Sequence, residues 1–351
     1  MALHTLTLGR EPLCKRTYKR IKSRLYELLQ KGYVSILRRT NPPFYHITTF
    51  PGILVKLCRN HDAVRRFELK INPARMFGGD YSDLYELTSM DCTQLITRVD
   101  NLLEIIEADF SFEDMCLTRI DCTQDITLPE TLQSTELIGA IQRTKLGYGY
   151  DREEFGRAHK NYAEKNRHSF RAKCYDISLT IYDKSFQLNE ERIMQPENIP
   201  PRLLRFEAAF DRASFRRVLN EHLEGSYIDL STGQTILTFS KLSLQLLKKY
   251  FGLVVTPGRF LRLDLAIDGI QKSPYTPTMK KRMQQFMIDV RRQYRYGIEG
   301  ALAYSGLSSG GKDYLMKCFH ELDLNPATLP ISCRCKQFPS IVQLLDNEGP
   351  A

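Results

Sequence analysis

Four short segments of this chain alternate between apolar and functional side chains, and that alternation restricts what it can fold into more than any other property. In 67–72, Phe67, Leu69 and Ile71 oppose Glu68, Lys70 and Asn72. In 116–125, Cys116, Thr118, Ile120 and Cys122 oppose Arg119, Asp121, Thr123 and Asp125. In 174–184, Tyr175, Ile177, Leu179 and Ile181 oppose Asp176, Ser178, Thr180, Tyr182 and Lys184. In 203–211, Leu204, Phe206, Ala208 and Phe210 oppose Arg205, Glu207 and Asp211. A period of two places successive side chains on opposite faces of a strand. Four such strands expect an antiparallel sheet with one face under helices and the other open, carrying carboxylates, cations and a phenol.

The intervening sequence fits that frame. Residues 14–31 read as a helix, with Ile21, Leu25, Leu28 and Leu29 on one stripe and Gly32 as a stop. Lys15, Arg16, Lys19, Arg20, Lys22 and Arg24 crowd its first turns, where cations oppose the helix dipole; such a cluster is either a solvated face or kept for a partner. Short strands follow at 33–38, 44–49 and 52–58, separated by Asn-Pro-Pro and Pro-Gly turns, with helices expected at 89–107, 130–143 and 213–222. Arg143 to Lys173 holds nine Lys or Arg against four acids and reads as an exposed basic arm. From about Ser240 the chain is mostly helical, with Met279, Met283, Phe286, Met287 and Val290 on one stripe, and the tail after Pro339 is expected to fray. The fold class expected is α+β: a mainly antiparallel sheet with helices on one face, an open catalytic face and a mostly helical C-terminal region. The expected division is an α+β catalytic domain over 1–225 and the helical region over 226–351.

Composition narrows the partners. Nine cysteines with no CxxC pair argue against a disulfide framework and against a zinc site. Cys116 and Cys122 are expected as small hydrophobes on the apolar side of their strand in a reducing cytosol. The opening MALHTLTLGREP has no long apolar stretch and no run approaches a membrane span, so a soluble, unexported protein without a membrane partner is expected. A net charge of +9 with eighteen Tyr and eighteen Phe suits a polyanion such as nucleic acid.

On the open face, Asp121 and Glu207, with Glu68, suit a Mg²⁺ or Mn²⁺ ion that leaves positions for a substrate phosphate. Lys184 or Lys70 would hold another phosphoryl oxygen and Tyr182 would attack phosphorus, its oxygen activated by nearby positive charge. Lys70, Arg119, Arg205 and, from the arm, Lys160 and Arg167 are the expected DNA contacts. Cross-strand ion pairing of Arg119 with Asp121 and of Arg205 with Glu207 on a solvated sheet is the other reading of the same residues. Gly306–Lys312 (GLSSGGK) matches the first part of a phosphate-binding loop, but Asp313 stands where Ser or Thr should hold Mg²⁺; it reads as a turn into a helix carrying Tyr314, Leu315 and Cys318. The seven histidines include no His-hydrophobic-His pair, and His159 and His168 are expected to face solvent or phosphate.

At these four strands the sequence resembles the gene II/X replication initiators of filamentous phages. The segments are FELKINPARMFGGD (67–80), LTRIDCTQD (117–125), LTIYDKSFQL (179–188) and LLRFEAAFD (203–211), in the family's order. The resemblance implies rolling-circle initiation: a site-specific nick in the plus strand at the origin of the double-stranded replicative form, then cleavage and rejoining of the displaced single strand. It carries over Asp121, Tyr182, Lys184 and Glu207, with Glu68 and Lys70, and implies host replication machinery as a partner in the bacterial cytoplasm. The sequence departs from the family at Gly79–Asp80, where a His–Asn pair is expected, and at Asp125, which has no acidic counterpart. Plasmid replication-initiation-factor proteins share the Tyr-x-Lys and Arg-Phe-Glu elements; a plasmid initiator of the same chemistry and a non-catalytic origin-binding repressor are the alternatives.

Overall fold

A computed structural model describes residues 2–37, 41–59, 64–80, 83–156, 161–191, 194–222, 230–293 and 296–346. Its strands are β1 (Ala2–Arg10), β2 (Val34–Leu37), β3 (Phe44–Ile47), β4 (Ile53–Arg59), β5 (Arg65–Ile71), β6 (Cys116–Thr127), β7 (Asp151–Arg152), β8 (Ser169–Cys174), β9 (Ile177–Asp183) and β10 (Leu203–Asp211). They form one sheet in the order β2-β3-β4-β5-β1-β6-β10-β9-β8-β7, and the fold is α+β with an antiparallel sheet and a helical C-terminal region, as expected. None of the described helices is long and apolar enough to cross a membrane. By compactness the chain divides into Met1–Gln124 with Ala208–Leu244, and Asp125–Glu207 with Gln245–Ala351, the limits falling inside β6 and β10.

In the first unit, β1 lies between β5 and β6. Sequence reasoning gave the opening residues no strand, yet they contribute Leu3, Leu6 and Leu8 to the core, each fully buried. The odd spacing of Leu3 to Leu6 hides the period of two, and its cause is a β-bulge: Leu3 pairs with Cys122 and Thr5 with Asp121, leaving His4 as the extra residue. A second bulge follows, because Thr7 pairs with Arg119 but Leu8 with Leu117, so Thr118 is extra on β6. This bulge corrects the reading of Cys116: the phase shift buries Leu117 and exposes Cys116, while Cys122 stays buried. Helix Lys15–Gln30 buries Thr17, Ile21, Leu25 and Leu28 and is fixed to the loop after helix Ser89–Ile105 by Thr17, whose hydroxyl donates to Asp109 at 2.7 Å.

In the second unit, β8 and β9 form a hairpin whose last pair is Cys174 with Ile177. Tyr175 and Asp176 are therefore the turn, not the start of the strand; Tyr175 has φ 47° and is 88% exposed. From Ile177 the expected alternation holds, with Ile177, Leu179 and Ile181 buried and Ser178, Thr180 and Tyr182 between. The strand ends one residue before Lys184, which begins helix Lys184–Glu190 under the cap of Asp183. Residues 143–173, expected as an exposed arm, are largely built in: β7 and β8 pair, helix Tyr162–Arg167 precedes β8, and Phe170 and Ala172 are buried. Lys160 and His159 lie outside the described residues.

The C-terminal helices of this unit pack around Ile270, Met283, Met287, Val290, Ile298, Leu315 and Phe319, which realises the methionine stripe. Gly306–Lys312 does lead into a helix, Ser309–Glu321, capped by Ser308. The tail does not fray directly after Pro339: helix Ile341–Asp346 buries Ile341, Leu344 and Leu345.

Candidate functional site

A bulge makes two successive residues oppose one, and on β1 it sets both His4 and Thr5 against Asp121. His4, Asp121 and Glu207 form a group in which one ligand atom from each lies within 4.8 Å of the others. Asp121 is 5% exposed. The Thr5 hydroxyl stands 3.2 Å from His4 Nδ1. Two carboxylates and an imidazole can hold a divalent metal ion, whose cis and trans ligands stand roughly 3–4 Å apart at bond lengths near 2.1 Å. The group could hold a metal ion, with His4 standing where Glu68 is expected.

Glu68 is held elsewhere. On β1 its row is that of Gly9, four residues from the Asp121 row at Thr5, or roughly 13 Å along the strand. There Glu68 bonds Arg66 and accepts from the Cys58 thiol at 3.3 Å, with Lys56 3.9 Å away. Lys70 is exposed and shares its row with Thr7 and Arg119. Arg119 ion-pairs with Asp121 at 2.8 Å and with Asp211 at 3.9 Å, so the pairing of Arg119 with Asp121 read from sequence is present.

Tyr182 lies on the polar side of β9, half-buried, with its hydroxyl 3.5 Å from Glu207 Oε2, long for a hydrogen bond. Burial raises the phenol well above its ordinary pKa and the Glu207 charge adds to this, while Arg205 works the other way. Arg205 does not stand on a solvated face as the ion-pair reading expects. It is completely buried, and its Nε and Nη2 each donate to the Asp125 carboxylate at 2.6 Å. Burial opposes the guanidinium's charge, and the Asp125 hydrogen bonds more than restore it. Asp125, left without a role by sequence, thus anchors the cation beside the phenol.

Lys184 is 3% exposed and donates to Gln187 Oε1 at 3.0 Å. Burial lowers its pKa to about 8, with Arg205 adding to the shift and Asp125 and Glu207 opposing it. Its helix start is fixed by Asp183, which accepts from the Phe186 amide at 2.9 Å, bonds the Ser134 hydroxyl and lies 3.0 Å from His168 Nδ1. His168, expected to face solvent or phosphate, is thereby a structural partner, stacked on Phe186 with ring centroids 3.9 Å apart. Arg167 is exposed and pairs with Glu164 at 3.1 Å.

The structure thus brings Glu207 together with Tyr182 and with Asp121, buries Lys184 and Arg205, and sets Glu68 apart. His4 was missed because a histidine search keyed to His-hydrophobic-His spacing ignores a single histidine on an unrecognised strand; the broken alternation of Leu3 and Leu6 was the available signal. No family model and no curated protein matches the chain. A solved structure titled "Structure of Rolling Circle Replication Initiator Protein from Geobacillus stearothermophilus" is similar to it with a TM-score of 0.32 and 9% identity, over 63% of this chain and 79% of that one. At that level the functional reading rests on the site's own geometry.

Proposed function

We propose that this chain is a rolling-circle DNA replication initiator: a site-specific nicking-closing endonuclease that cleaves and rejoins the plus strand at a phage-type origin through Tyr182. The observation that supports it most is a half-buried phenol 3.5 Å from a carboxylate that also belongs to a His4–Asp121–Glu207 cation-binding set. Two carboxylates and a histidine beside a tyrosine suit phosphoryl transfer better than packing, because packing requires none of the three polar groups.

In this reading the Tyr182 oxygen bonds to the scissile phosphorus, the bond from phosphorus to the 3′ oxygen breaks, and the phenolic proton leaves by way of Glu207 to solvent. The 3′ oxygen takes up a proton and becomes the primer end that host machinery extends. The phosphotyrosine conserves the diester's energy, so rejoining needs no nucleotide. Bound Mg²⁺ or Mn²⁺ would supply Lewis-acid polarisation of the phosphoryl oxygens. Lys184 offsets phosphate charge, Lys70 and Arg119 line the approach of the strand, and Arg205 holds positive charge at the phenol. Burial, and after it the Glu207 charge, hold that phenol protonated, and Arg205 opposes them. These residues fall within 1–225, to which we assign the catalysis, in a bacterial cytoplasm where replicative-form DNA is the substrate.

Incubation with supercoiled origin DNA and Mn²⁺ should give a denaturant-resistant protein–DNA adduct. Tyr182→Phe should abolish adduct and nick while still binding the duplex. A Phe variant that nicks, or a wild type that binds without ever forming an adduct, overturns the reading.

A further inference from the structure

We infer that the outward face of helix Lys15–Gln30 is a second DNA-contact surface, gripping the phosphate backbone of duplex DNA on the side of the first unit's sheet away from Asp121 and Lys70. The inference rests on DNA being this protein's partner, but not on Tyr182 being its nucleophile. At 100° per residue, Lys15, Lys19, Lys22 and Tyr26 fall within an arc of roughly 60°, with Arg16 about 60° beyond it, and the buried Thr17, Ile21, Leu25 and Leu28 lie on the other side. Lys15, Arg16, Lys19 and Lys22 are exposed, and Tyr26 is 48% exposed.

The cations of this helix divide into two sets by what they hold. Arg20 pairs with Asp109 at 3.0 Å and donates to the Glu107 carbonyl, and Arg24 pairs with Glu27 and donates to the Ile105 carbonyl. These two tie the helix to its unit. Lys15, Arg16, Lys19 and Lys22 meet no carboxylate among the described residues, and Glu27, on the same helix, is taken by Arg24 and Lys31. The first turn holds no acid, so Lys15 and Arg16 act against the helix dipole and weaken the helix unless an anion covers them.

From Lys15 to Lys22 the helix advances about 10 Å, a distance over which duplex DNA presents about six phosphate charges. A membrane surface fits less well, because a helix lying in lipid needs a large apolar face and here the apolar face is spent on the core. Since the helix covers the apolar side of β5 and Asp121 lies on the polar side of β6, a duplex on the helix is a contact separate from the strand at the site.

The test measures equilibrium binding of full-length Tyr182→Phe protein to a long origin duplex across a salt series, so that no cleavage intrudes. Replacing Lys15, Arg16, Lys19 and Lys22 by Gln should lower the slope of log K against log salt by about 3–4. Replacing the lysines by Arg should keep it. An unchanged slope overturns the inference. So does an equal fall when Lys272, Lys281, Arg282 and Arg292 are replaced instead, which would make the effect one of net charge. So does loss of binding to phosphatidylserine vesicles with DNA binding intact. A circular-dichroism melt of each variant verifies the fold.

Discussion

Arg205 and Asp125 show how far one residue's identity falls short of its role. Both were legible as polar residues on strands, but their partner was not: a fully buried guanidinium with two 2.6 Å bonds to one carboxylate is set by which strands neighbour each other. Removing one partner of a buried pair leaves the other charge stranded, so Asp125→Asn should cost about 3–5 kcal/mol in urea denaturation, whereas the double change Asp125→Leu with Arg205→Met should recover most of it. An Asp125→Asn protein as stable as wild type would show the pair to be solvated. Lys184 carries a pH signature. Its folded pKa of about 8 lies below the unfolded value near 10.4, so between those values the unfolded chain binds more protons and stability rises with pH. Below pH 8 the penalty of burying the charge is present in full; by pH 10.4 it is largely gone, a gain of about 3 kcal/mol. The difference in urea stability between wild type and Lys184→Met, measured from pH 7 to 10 in chelator, should follow that course, and a flat difference would contradict it.

The elements of the site were largely readable, and their irregularities were not. Alternation located β5, β6, β9 and β10 because a half-buried strand imposes it residue by residue. Two bulges, a hairpin turn at Tyr175 and a helix start at Lys184 broke the parity on which face assignments depended, so Cys116, Tyr175 and Lys184 were placed on the wrong side or in the wrong element. The bulge at His4 is itself testable. Deleting His4 joins Leu3 to Thr5 in the register that they already hold, so the strand should form with stability within about 1 kcal/mol of wild type. The rise in melting temperature on adding Mn²⁺, expected of wild type through binding to the folded state alone, should disappear. Retention of that rise would remove His4 from the cation site.

For the molecule as a whole, the helical C-terminal region followed from composition and stripe, but its end did not. Helix Ile341–Asp346 is too short to announce itself by periodicity, yet Ile341 is 3% exposed, Leu344 6% and Leu345 1%. A chain ending at Pro339 should lose about 5 kcal/mol or more in thermal or urea unfolding, at roughly 1.5–3 kcal/mol for each buried side chain; an undiminished melting temperature would mean that the helix is an ornament. The sequence by itself determined the class of fold, the existence of four alternating strands, and the candidacy of Tyr182, Asp121 and Glu207, since each follows from local period and side-chain chemistry. Only the tertiary structure decided that His4 and not Glu68 stands with those acids, that Asp125 secures Arg205, and that Lys184 is buried. Those outcomes depend on strand order and register, which are set by contacts between residues far apart in the chain and leave no mark within a ten-residue window.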